Sequence, residues 1–92
     1  MKVLVITVDR ERTDIHRIDL EEGKYMSPLF TSGHFQNQAD EIAQLIFKER
    51  PQKVIVEKMG VGHGLYDALK ARLEYYGITL NEKGTLDWGN FY

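Results

Sequence analysis

Apolar residues follow two different periods along this chain, and the changes of period divide it into elements. Residues 3–8, "VLVITV", are an almost unbroken apolar run rich in valine, which predicts a strand covered on both faces and therefore a central one. The charged stretch "DRERTD" behind it predicts a turn. Ile15, Ile18 and Leu20 then stand among polar residues in "DIHRIDL" and predict a half-exposed second strand. "EEGK" predicts another turn, with Gly23 supplying backbone freedom. "YMSPLFT" has the apolar and aromatic character of a third strand, and Pro28, which cannot donate to a ladder, predicts an edge or a bulge there. Two short connections in succession predict an antiparallel meander.

The period changes in "NQADEIAQLIFKERP". Ala39, Ile42, Ala43, Ile46 and Phe47 recur as one face of a helix, and Pro51 stops it. "KVIVE" is a short β-branched strand, and its arrival through a helix predicts that it runs parallel to the first strand. Leu65, Ala68, Leu69 and Leu73 predict a second amphipathic helix, with Gly77 as its C-terminal cap. "ITL" predicts a fifth strand. The tail "NEKGTLDWGNFY" carries two glycines and three aromatic residues and predicts no particular element. The order β-β-β-α-β-α-β is that of an α/β chain with a mixed sheet, and it resembles the layout of a single RNase H-like domain over residues 1–92.

Composition narrows the picture without changing it. Ninety-two residues suit one small domain, and 42% hydrophobic with 28% charged residues is ordinary globular composition. Twelve basic and fourteen acidic side chains leave a net charge of -2, so any contact with nucleic acid must be local rather than a bulk attraction. Without cysteine there is neither a disulfide framework nor a thiolate metal site, which is compatible with a cytoplasmic setting. The apolar part of "MKVLVITVDR" is too short for a signal peptide, and no stretch has the length of a membrane span, so no membrane partner is expected.

Two acidic residues stand out by position. Asp9 closes the first predicted strand and Glu57 closes "KVIVE". Adjacent parallel strands lie about 4.8 Å apart, so both carboxylates can emerge at one sheet edge. Carboxylates that close repel each other unless a cation lies between them, and a hard divalent ion such as Mg²⁺ or Mn²⁺ relieves the repulsion with oxygen ligands. Two such ions about 3.5–4 Å apart hold the attacking and leaving oxygens of a phosphodiester in line. Each residue alone also reads as an ordinary charge where a strand meets water.

"GVGHG" supports three readings. It is a phosphate-cradling loop before a helix N-terminus, or a loop that lets a nucleic-acid backbone approach the carboxylates, or a tight strand-to-helix turn. In the first two, Gly60, Gly62 and Gly64 are nucleic-acid-binding positions, Lys58 adds a phosphate contact, and His63 serves a scissile phosphate or a proton transfer. His16 and His34 have no metal-ligand spacing and read as surface residues. Tyr75, Tyr76, Trp88, Phe91 and Tyr92 read as core or edge cover, or as an interface to a homodimer or another protein.

"VIVEKMGVGHGLYDAL" resembles a segment in the C-terminal nuclease domain of phage terminase large subunits. There an apolar strand ends in a glutamate, a glycine-containing loop follows, and a helix opens with an apolar-x-Asp-x-Leu pattern, matched here by Glu57, Gly60, Gly62, Leu65, Asp67 and Leu69. "VLVITVDRE" resembles that family's first strand, and "QNQADEIAQLIFKERPQKV" its helix leading into the glutamate strand. The resemblance covers most of residues 1–80. It implies an RNase H-like nuclease that cuts DNA with Mg²⁺ or Mn²⁺, with Asp9 and Glu57 as metal ligands and Asp87 as the third by position. Asp87 also reads as a surface turn residue. The resemblance further implies a phage origin and a host cytoplasm. The alternative is a module that keeps the fold, lacks the activity and binds a protein or a nucleic acid.

Overall fold

The computed structural model describes residues 2–8, 12–57 and 62–89, and for residues 25–28 its description is of the backbone. Strands β1 (Lys2–Val8), β2 (Thr13–Asp19) and β3 (Lys24–Thr31) form the antiparallel meander. Helix α1 (Phe35–Glu49) leads to β4 (Lys53–Val56), which lies parallel to β1 and completes a mixed sheet in the order β3-β2-β1-β4. Helix α2 (Gly62–Tyr75) follows, and then the short strands β5 (Thr79–Leu80) and β6 (Leu86–Asp87).

Strand alternation sorts the sheet into two faces. Leu4 and Ile6 of β1 lie beside Val54 and Val56 of β4, and Ile6 lies opposite Ile15 of β2. These residues are buried under Ala39, Ile42, Ala43 and Ile46 of α1 and Leu65, Leu69 and Leu73 of α2. Both helices therefore press on one face. Each fully buried Ile or Leu there contributes roughly 1.5–3 kcal/mol of hydrophobic stabilisation. Val3, Val5, Ile18 and Ile55 fall on the other face, and among the described residues no helix covers it. The apolar run of β1 predicts cover on both sides; among the described residues the helices cover one, while on the other Val3 is buried and Ile55 exposed.

Element ends follow the predicted stop signals. α1 cannot pass Pro51, and Arg50 turns into the left-handed region (φ 51, ψ 54) with its N–H donating to the carbonyl of Ile46 at 2.9 Å. At the end of α2, Gly77 takes φ 83; its N–H donates to Glu74 and that of Ile78 to Leu73, each at 2.9 Å. This is the Schellman pattern, sealed by the buried pair Leu73 and Ile78. β3 is an edge strand, and between the pairs Ile15–Leu29 and Arg17–Met26 it carries two residues, Ser27 and Pro28, against one on β2. Pro28 thus sits in a bulge on an edge.

The last strands depart from expectation. β5 does not join the main sheet. It pairs with β6 in a separate hairpin that meets β4 through a bridge between Lys53 and Thr85 and an N–H of Val54 donating to Gly84 at 2.7 Å. Two-residue strands carry too few apolar positions to bury on both sides in a sheet, so Leu80 and the half-buried Leu86 close the rim of the core instead.

Candidate functional site

The parallel pairing of β1 and β4 decides what lies at the carboxyl end of the sheet. Ile6 is opposite Val56, and the N–H of Glu57 donates to the carbonyl of Ile6 at 2.9 Å, so the ladder runs one residue past β4. Glu57 is held by its backbone at the carboxyl end of β4, where open α/β sheets collect ligands. Its residue is exposed. Alternation places it on the same face as Lys53 and Ile55, the face without helices. Asp9 follows Val8 in the sequence and lies outside the described residues, as do Lys58 and Gly60.

Gly62, His63 and Gly64 belong to the first turn of α2 rather than to a free loop. A Cβ on Gly62 would stand 1.9 Å from the carbonyl oxygen of Glu57, and one on Gly64 would stand 2.6 Å from the ring of Phe35. Both glycines permit close packing: one seats the start of α2 on the end of β4, the other seats it on the start of α1. His63 lies between them and is exposed. The structure thus brings Glu57 and His63 to one corner of the molecule.

It does not bring Asp87 there. Thr85 bridges to Lys53 in an antiparallel sense, so the chain after it runs away from Glu57 along β4. Leu86 and Trp88 line a cavity with Arg50, Pro51 and Gln52, at the amino end of that strand. Six residues of strand, about 20 Å, separate Asp87 from Glu57. The Asp87 carboxylate instead accepts the N–H of Gly89 at 3.0 Å, an Asx turn within the tail. Among the described residues no group of three His, Asp or Glu side chains is placed to hold a metal ion.

The same end of the sheet holds a buried polar cluster that sequence reading passes over. Thr13 faces Thr31 across β2 and β3, and both are buried. The Thr13 hydroxyl donates to Oε1 of Gln38 at 2.5 Å, and Nε2 of Gln38 donates to the carbonyl of Gly33 at 2.8 Å. The Thr31 hydroxyl donates to Glu41. Gln38 sits in the helical stripe one residue before Ala39, and a glutamine inside an apolar stripe is the signal that reveals such a partner. The cluster ties the start of α1 to the β2–β3 pair, beside the corner where Glu57 and His63 lie.

The aromatic residues divide. Trp88 is half-buried with the Arg50 guanidinium 4.8 Å from its ring centre. Tyr76 packs edge-on against Phe47 at 5.0 Å, while Tyr75 stays 79% exposed. Phe91 and Tyr92 lie outside the described residues. No helix among the described residues is long and apolar enough to cross a membrane. Compared with known proteins, the chain matches no family model and no curated protein.

Proposed function

We propose that the chain is a small RNase H-like domain that hydrolyses nucleic-acid phosphodiesters, DNA by the terminase resemblance, with Mg²⁺ or Mn²⁺ held at the carboxyl end of β1 and β4. The observation that carries the reading is the parallel register of those strands, with the ladder continuing to Glu57. Glu57 is exposed, and a solvated carboxylate is the hard oxygen donor that these ions take. Asp9, next in sequence after Val8, is the proposed second ligand. One or two carboxylates together with substrate phosphate oxygens are the donor set that Mg²⁺ prefers. When bound, the ion supplies charge for the phosphoryl oxygens and an activated water. His63, one residue beyond the glycine that touches Glu57, is the group for proton transfer or a phosphate contact. Lys58 and the glycines at 60, 62 and 64 form the proposed nucleic-acid side of the corner. Asp87 is left out as a ligand of this site because of its distance from Glu57.

Calorimetric titration of Mg²⁺ and Mn²⁺ into the protein and its Glu57→Ala variant tests the reading. Binding at millimolar concentration or tighter that is lost in the variant supports it, and cleavage assays on DNA and RNA follow. Binding that survives in the variant, or none in either protein, overturns it. A second reading, a non-catalytic module that binds a protein, is favoured by the exposed Ile55 and Phe30 on the face of the sheet that no described helix covers.

A further inference from the structure

We propose that the substrate at the Glu57 corner is a single strand of nucleic acid, which crosses the sheet from Glu57 to a stacking platform formed by Phe30 and Arg12. This deepens the nuclease reading and rests on it for the place of the reacting phosphate. The register carries the argument. Thr7 is opposite Asp14, Asp14 is opposite Phe30, and the ladder past Ile6 and Val56 sets Glu57 beside Thr7. Glu57, Thr7, Asp14 and Phe30 therefore form one row across the four strands, on the face that no described helix covers. Three strand spacings, about 14 Å, separate the ends of the row.

The far end of the row suits a nucleotide. Phe30 is 66% exposed, and the Arg12 guanidinium lies 5.4 Å from its ring centre. Nε of Arg12 meets Oδ1 of Asp14 at 3.2 Å, which holds the guanidinium beside the ring. Among the described residues no other hydrogen bond or ion pair engages that guanidinium, so its two terminal nitrogens remain as a fork for a phosphate. An open ring stacks a base, and the fork next to it takes the phosphate of the same strand.

Strandedness follows from the same geometry. In a duplex each base is covered by its neighbours in the stack, and a ring on a flat sheet has no base face to meet. An unpaired strand turns its bases out to such a ring. The 14 Å row lies within the span of about four or more nucleotides that single-strand sites cover. Charge sets the strength: Asp14 offsets Arg12, Thr7 is neutral, and Glu57 is offset when an ion is bound. One stacked base and one phosphate contact place the affinity in the weak, non-specific range, with a dissociation constant on the order of 100 µM.

Fluorescence anisotropy of labelled single strands of about ten nucleotides, one DNA and one RNA, tests this against a duplex of the same length. The titrations run in EDTA to about 1 mM protein, where no metal contributes and nothing is cut. Single strands are expected to bind about tenfold or more tighter than the duplex, and the tighter of the two names the sugar. Phe30→Ala is expected to weaken binding about fivefold or more, and Phe30→Trp to retain it. Arg12→Gln is expected to lower the slope of log affinity against log salt by about 0.7, the share of one phosphate contact, while Phe30→Ala leaves that slope unchanged. Circular dichroism shows that the variants fold. A Phe30→Ala protein that binds as before, an Arg12→Gln slope that does not fall, a duplex bound equally well, or no binding at the top concentration overturns the proposal. Glu57→Ala separates it from the metal site, because that variant is expected to lose Mn²⁺ and keep the strand in EDTA. A protein that holds Mn²⁺ through Glu57 and binds no strand loses this inference alone. One that binds the strand through Phe30 and Arg12 and holds no Mn²⁺ loses the nuclease reading and keeps the strand site.

Discussion

Replacing Gly62 by alanine tests whether the glycines around residue 62 serve packing or anion binding. The new Cβ would lie 1.9 Å from the carbonyl oxygen of Glu57 and 3.0 Å from its carbonyl carbon. The obstructing atoms are backbone, fixed by the hydrogen bond from the Glu57 N–H to Ile6. Side-chain rotation cannot relieve the clash, so the start of α2 must move outward by about 1 Å or more, and overpacking of this kind costs roughly 1–3 kcal/mol. Alanine recovers part of this, at most about 1 kcal/mol, through its higher helix propensity, and less at a first turn than in mid-helix. The net expectation is a loss of about 1–2 kcal/mol, or roughly 4–16 °C in Tm for a domain of this size. Gly64→Ala is the internal control, because the three atoms nearest its Cβ all belong to the ring of Phe35, a side chain rather than backbone. That variant is expected to stay within about 1 kcal/mol of the original chain. Urea unfolding of both variants provides the comparison. A Gly62→Ala protein as stable as the original would refute the close seating of α2 on Glu57. If that same stable variant lost nucleic-acid binding, the glycine would be there for an anion.

Three further expectations follow from the packing. Gln38→Leu strands the buried Thr13 hydroxyl and the Gly33 carbonyl and should cost about 1–3 kcal/mol, whereas adding Thr13→Val to it should cost less than the two single losses summed; a double-mutant cycle by urea unfolding reads the coupling. Gly77→Ala forces alanine to φ 83 and should cost about 1–2 kcal/mol, and an unchanged Tm would argue against the Schellman ending of α2. The backbone N–H of Glu22, foremost, and that of Glu21 hold the Asp19 carboxyl below its ordinary value of 3.8. The folded state therefore binds this proton less readily than the unfolded chain, so the contribution of Asp19 is present above pH 3.8 and is lost as pH falls through the lowered folded value. Asp19→Asn should flatten the dependence of Tm on pH in that acid range, and an unaltered slope would count against the turn geometry.

How much of this was legible in the sequence depends on the signal each element carries. α1 shows itself through Ala39, Ile42, Ala43 and Ile46, all buried in the structure, because 3.6-residue periodicity reports a buried stripe directly. Pro51, Gly77 and Pro28 mark a stop, a cap and a bulge because each restricts or frees the backbone in a way no neighbour can undo. The β5–β6 hairpin gave no such sign, since two-residue strands show no period. The face without a helix was hidden for a different reason: "VLVITV" reads alike whether or not a helix covers the side of Val3 and Val5. At the candidate site, Glu57 at a strand end was readable, and its closeness to His63 followed from chain connectivity. The separation of Asp87 was not, because only the sense of the Lys53–Thr85 bridge shows which end of β4 the tail reaches.

The two borders of the main sheet have a bearing on what the protein can become at high concentration. An unprotected border strand offers its free amides and carbonyls to any other chain and can seed a fibre. Here the bulge at Ser27 and Pro28 interrupts one border, and the hairpin bonded through Gly84 occupies the other. Sideways growth, strand upon strand, is therefore blocked at both margins.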